Sequence, residues 1–143
     1  VFCLINISWL AAAWISPRSS LTMSLGGKPV TVVGGTGFVG SRVCKILSEN
    51  GASVTSVSKS GRVPEWCSGE AWTNDVKWNA ANLLEGSEEE LDTAIGKPEV
   101  IVSCVGVVGT DADELRRGNG DTNVAAFASA KRGGSVERSA LVS

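Results

Sequence analysis

The sequence contains no histidine and no tyrosine. Without imidazole, the Ser-His-Asp and Cys-His nucleophile systems are excluded, together with any histidine-ligated metal site. Without a phenol, no mechanism that uses tyrosine as proton donor can be drawn from this sequence. A basic excess is missing too: 13 Lys and Arg stand against 15 Asp and Glu, a net charge of −2, so no nucleic-acid partner is expected. Four cysteines (Cys3, Cys44, Cys67 and Cys104) occur without a C-x-x-C pair. They read as small buried hydrophobes or idle thiols rather than a disulfide or metal framework. What remains in 143 residues is a globular composition, 43% hydrophobic and 20% charged, at the length of one ordinary domain.

Acidic residues are also absent before Glu49, whereas Arg18, Lys28, Arg42 and Lys45 supply positive charge there. The first ten residues are mostly apolar and lead into Ala11-Ala12-Ala13. As a helix, fifteen residues reach about 22 Å against about 30 Å of hydrocarbon, too short to span a bilayer. The pattern reads as a secretory-type signal with cleavage after Ala13. Trp14-Ile15-Ser16-Pro17-Arg18-Ser19-Ser20 follows, an aromatic and then a Ser-rich stretch without acid. This resembles the bipartite plastid presequence of algae with secondary plastids. Residues 1–25 are therefore expected to be a targeting segment for a plastid. A mitochondrial destination, a plain secretory signal, or translated sequence upstream of a start at Met23 are the alternatives.

Pro29-Val30-Thr31-Val32-Val33 is a β-branched run suited to a buried strand. Gly34, Gly35, Thr36, Gly37, Phe38, Val39 and Gly40 follow directly, and Val39, Val43, Ile46 and Leu47 then recur at helical spacing up to Glu49-Asn50-Gly51. Strand, glycine turn and amphipathic helix are the parts of a dinucleotide-binding βαβ unit. Gly34 permits the tight turn, Gly37 lets backbone approach a pyrophosphate, and Gly40 lets the helix lie close to the strand. The helix N-terminus then faces the phosphates with free N–H groups. The spacing G-x-x-G-x-x-G within V-V-G-G-T-G-F-V-G resembles the extended and atypical short-chain dehydrogenase/reductase families, which are Rossmann proteins that bind NAD(H) or NADP(H).

The second strand, Ala52–Val57, bears on which cofactor is bound. An NAD site usually ends this strand with a carboxylate that accepts from the ribose 2′-OH. Here Ser58, Lys59, Ser60, Gly61 and Arg62 stand instead. Lys59 and Arg62 would attract a 2′-phosphate and the two serines would donate to it, so NADP is expected ahead of NAD.

Asp75-Val76-Lys77-Trp78 predicts a short third strand, with Trp66, Trp72 and Trp78 covering a sheet edge. Ser87-Glu88-Glu89-Glu90 opens a helix that ends near Ile95. Pro98–Gly106 reads as a buried fourth strand. Asn119–Val124 is expected to cap a helix, with Asp121 or Thr122 as N-cap and Gly133 as its stop. Val136–Ser143 enters a fifth strand. Strands alternating with helices predict an α/β fold, a doubly wound parallel sheet in the order 3-2-1-4-5, ending after the fifth strand. Residues 26–143 are thus expected to be a Rossmann domain incomplete at its C-terminus. Val100, Ile101, Val102, Leu141 and Val142 would then lack cover on one face.

V-x-W with N-L-L, N-G-D-T-N-V, V-E-R and L-V-S together look like one branch of the atypical families. That branch includes plastid NAD(P)-binding proteins, a mitochondrial quinone-biosynthesis factor and an accessory subunit of respiratory complex I. The resemblance implies that Asn82 and Leu83 lie against the adenine, with Asn82 in place of the family's Asp. It also implies that Val105 and Gly106 let backbone approach the nicotinamide ribose. Catalytic members use a Ser or Thr after the fifth strand and a Tyr-x-x-x-Lys pair beyond it. Neither is assignable here, so no catalytic residue is expected in this sequence. Two functions follow from the resemblance. One is the cofactor half of an NADP-dependent oxidoreductase acting on a carbonyl or isoprenoid-like substrate. The other is a non-catalytic nucleotide-binding accessory or assembly subunit of an organellar membrane complex.

Overall fold

In a computed structural model of the protein, residues 25–142 are described. The targeting segment expected over residues 1–25 lies outside them except for its last residue, Leu25, which packs against the core.

Strand β1 (Pro29–Val33) sits at the centre of a parallel sheet, flanked by β2 (Ser53–Ser58) and β4 (Val100–Ser103). β3 (Val76–Ala80) pairs outside β2, and β5 (Arg138–Leu141) outside β4. The strand order is 3-2-1-4-5, as the alternation of elements predicts. Val33 is in register with both Val57 and Ser103, so the C-terminal ends of β1, β2 and β4 are level. Because consecutive strand residues point to opposite faces, β1 feeds two cores. Val30 and Val32 join Val54, Val76, Cys44 and Trp72 beneath α1 (Phe38–Glu49). Val33 joins Val57 and Ile101 beneath α2 (Glu88–Ile95) and α4 (Thr122–Arg132). Each fully buried Val or Ile contributes about 1.5–3 kcal/mol. Thr31, buried on the second face, satisfies its hydroxyl by donating to the Ile95 carbonyl at 2.9 Å.

The local signals explain most boundaries. Ser87 caps α2 in a reciprocal box with Glu90, and Gly96, at φ 72°, ends it. Trp72 and Trp78 cover the β3 edge with ring centroids 6.2 Å apart, while Trp66 stays exposed.

Two expectations need correction. The helix read as starting at Asp121 or Thr122 begins some ten residues earlier, where the Asp111 carboxylate accepts from the Glu114 N–H at 2.8 Å. A single helical turn α3 (Ala112–Leu115) runs through a widened π-wound segment, Arg116–Asp121, into α4 without leaving helical geometry. Gly118 and Gly120 look like turn formers in sequence, but here they sit inside the helix. Secondly, Ile101 is fully buried by α2 and α4, and Val100 and Val102 are half-buried. Of the five residues expected to lack cover, only Leu141 and Val142 are exposed, at 54% and 43%. Among the described residues no helix is long and apolar enough to cross a membrane.

Candidate functional site

The turn after β1 is fixed by backbone packed on backbone. Gly34 takes φ 80°, and a Cβ there would lie 3.1 Å from the main chain of Cys104. Its N–H donates to the Val57 carbonyl at 2.8 Å, which ties the turn to β2. A Cβ on Gly40 would come within 2.1 Å of the Gly34 carbonyl oxygen, so only glycine lets α1 start this close to the strand. Gly35 is buried against Ser56 and Cys44. Gly37, by contrast, is exposed and is the N-cap of α1. No side chain caps it, and the first turn of α1 carries no acid. The free N–H groups and positive dipole end are thus left to an outside anion.

Over this turn opens a cleft of about 730 Å³ at the C-terminal ends of β1, β2 and β4. It lies where the chain winds off β1 in both directions, the usual ligand crevice of an open α/β sheet. Gly34, Thr36 and Gly37 line it, as do Ser58, Lys59 and Ser60 after β2, Asn82 and Leu83 after β3, and Val105 and Gly106 after β4. These ten of the sequence-selected residues are therefore brought together. The other five are not on its wall. Gly35 and Gly40 are buried beneath the turn, and the Phe38 and Val39 side chains point to solvent. Arg62 is exposed beyond the turn that Ser58 closes by accepting from the Gly61 N–H at 3.1 Å.

The opposite wall was not legible as a site. Asn119, in the π-wound segment, accepts from the Val107 N–H at 2.8 Å and donates to the Val107 carbonyl at 3.0 Å. One side chain thereby holds the backbone just past Gly106. Asn123 is buried, accepts from the Ser103 hydroxyl, and donates to the Asn119 carbonyl at 2.7 Å. Gly118 lies so close to Val107 that a Cβ would be 2.3 Å from its side chain. Together these contacts fix the β4 end of the cleft. The only sequence signal for them was the pair of asparagines in N-G-D-T-N.

Charge in the cleft is divided. Lys59 stands at the β2 end, whereas Asp111, Asp113 and Glu114, with Arg117, line the far wall. Cys104 also lines it, and burial pushes its thiol above the ordinary value, which keeps it protonated and a poor nucleophile. Among the described residues no cluster of Cys, Asp and Glu is placed to hold a metal ion.

Comparison with known proteins agrees with this geometry. Residues 30–129 match the model of the NAD dependent epimerase/dehydratase family. An uncharacterized chloroplastic protein of Arabidopsis thaliana is 35% identical over 121 residues, covering 85% of this chain and 38% of that protein. The chain thus spans under two fifths of that relative's length. Among solved structures, the epimerase Mth375 from Methanothermobacter thermautotrophicus superposes with a TM-score of 0.69 at 22% identity, over 84% of this chain and 36% of that one. A mutant uronate dehydrogenase from Agrobacterium tumefaciens complexed with NAD gives 0.63 at 17% identity, over 82% and 41%. At these identities the two structures speak for the fold, a Rossmann-like sheet. The family match over most of the chain, joined to the glycine turn and cleft, shows that this chain belongs to the NAD dependent epimerase/dehydratase family.

Proposed function

We propose that the chain is the cofactor-binding part of an NADP-dependent oxidoreductase of the atypical short-chain dehydrogenase type, working in a plastid. The single observation that carries the cofactor choice is the end of β2. Ser58, Lys59 and Ser60 line the cleft there, and no carboxylate follows the strand. A 2′-phosphate would meet an ammonium and two hydroxyls, whereas the 2′-OH of NAD would lack its usual acceptor. Arg62 adds positive charge from just outside the wall. Gly34, Thr36 and Gly37 and the first N–H groups of Phe38, Val39 and Gly40 would cradle the pyrophosphate, with Gly35 packing the turn down. Asn82 and Leu83 would border the adenine, and Val105 and Gly106 the nicotinamide ribose. The residues present fit such a group: a cleft of suitable size, a glycine cradle that a Cβ would fill, and an uncapped helix N-terminus.

When bound, the nicotinamide supplies or accepts a hydride. The residues of this chain bind and orient it, and none is assigned to proton transfer. The plastid placement draws on the N-terminal sequence and on the chloroplastic description of the Arabidopsis relative.

Titration calorimetry on the full-length protein tests the reading. NADPH should bind at least tenfold more tightly than NADH, and Lys59→Glu should erase that preference. Equal affinities in the parent protein would overturn the NADP assignment. Tight NADPH binding without oxidation by any of a panel of carbonyls and quinones would instead point to the non-catalytic accessory role.

A further inference from the structure

Helix α1 serves the cleft only with its first turn and its buried side. Its outward side carries large apolar groups that nothing among the described residues covers. Phe38 is 67% exposed and Ile46 59%, while Trp66, held beside the helix by its indole N–H donating to the Ser41 hydroxyl at 3.4 Å, is 63% exposed. Two charges sit in the same stripe. At about 100° per residue, Phe38, Arg42, Ile46 and Glu49 fall within about 80° of one another around the helix. Arg42 lays its guanidinium over the Phe38 ring at 4.6 Å, and neither it nor Glu49 joins an ion pair among the described residues. Its neighbour Lys45 is already engaged, 2.6 Å from Glu70.

The stripe therefore reads cation, apolar, anion along one line, with Arg42 and Glu49 seven residues and about 10 Å apart. A line of that kind is complementary to itself when reversed. We propose that the outer face of α1 is a two-fold interface with a second copy of this chain. The two helices would pack antiparallel, Arg42 of each facing Glu49 of the other, and the two Ile46 side chains meeting next to the axis. Phe38 and Trp66 widen the apolar contact, which supplies the attraction, and the two crossed ion pairs set orientation and register. Exposed ion pairs alone are too weak to hold such a contact, which is why the apolar residues between them matter.

The full-length protein is the material for the test. Ile46→Cys should give a covalent dimer under mild oxidation, with the bond between the two introduced thiols identified by peptide mapping. It should form at least tenfold faster than in the control Thr93→Cys, on the outside of α2. Adding Arg42→Glu to Ile46→Cys should slow that cross-link tenfold or more, as should adding Glu49→Arg. Combining both reversals should restore it, because the crossed pairs are rebuilt with their signs exchanged. A cross-link no faster than the control, or one indifferent to the two reversals, would overturn the proposal. Binding of the parent protein to vesicles containing anionic phospholipid that Phe38→Ser abolishes, without cross-linking at position 46, would overturn it in favour of a lipid surface.

Discussion

The two walls of the cleft are built by opposite means. On the side of β1, glycines make room by lacking a Cβ: Gly34 and Gly40 bring main chain onto main chain, and Gly35 lies against the Ser56 and Cys44 side chains. On the side of β4, the Ser103 hydroxyl and the Val107 backbone are held by asparagine side chains that reach across from α4 and the π-wound segment. A wall fixed by exclusion tolerates no added atom. A wall fixed by hydrogen bonds can absorb bulk at its rim but not the loss of a donor or acceptor.

The glycine wall is the more sensitive of the two. Gly40→Val would push a side chain into the Gly34 carbonyl, where neither partner is a flexible side chain, and should cost about 3 kcal/mol or more. Urea melts of the two proteins measure this, and a loss below about 1 kcal/mol would mean that the helix can move off the strand. On the other wall, Asn123→Ala would leave the fully buried Ser103 hydroxyl without its acceptor, at about 2 kcal/mol. If the melts coincide, the Ser103–Asn123 contact does not fasten the wall. Asn119→Ala is the milder change, about 1 kcal/mol, because the site is exposed. Its clearer readout is amide exchange at Val107, which should quicken once the clamp is gone; unchanged exchange would show that the Val107–Gly118 packing is sufficient.

The smallest effect lies away from the cleft, where α2 and α4 are joined by Asp92, Arg132 and Ser129. The Arg132 guanidinium, and then the Ser129 hydroxyl, hold the Asp92 carboxyl below its usual range. A lowered folded-state value means that the stabilisation is present above the unfolded carboxylate's value, about pH 4, and fades as pH falls through the folded one. The urea midpoint of the parent protein should thus converge with that of Asp92→Asn in acid. A constant gap from pH 6 to pH 3 would show that this carboxylate does not titrate with folding.

How far the sequence reveals this depends on which wall is considered. The glycine wall is legible because its cause is local: V-V-G-G-T-G-F-V-G states both the turn and the close approach. The two sheet faces are equally legible, since alternation along Val30–Val33 dictates them. The asparagine wall is not. The Thr122 backbone N–H donates to the carbonyl of Arg117, five residues back, and a reading in steps of 3.6 passes over that spacing. Gly118 and Gly120 then suggest a turn before a helix cap, and Asn119 loses its meaning as a clamp. Arg62 shows a similar limit. Its charge is plain from sequence, but the course of the chain after Gly61, at φ 58° and pressed on the Ala80 backbone, places it outside the cleft wall.

Cys44 adds a different consequence. It lies fully buried under the glycine turn, facing Gly35, and burial pushes its thiol up to about 12. Such a group is silent to alkylating reagents at neutral pH as long as α1 stays seated on the sheet. The rate at which it becomes labelled is therefore a clock for the lifting of that helix, carried by the molecule without any added probe. Slowing of that clock by a dinucleotide would report occupancy from beneath the turn, with no reaction to assay.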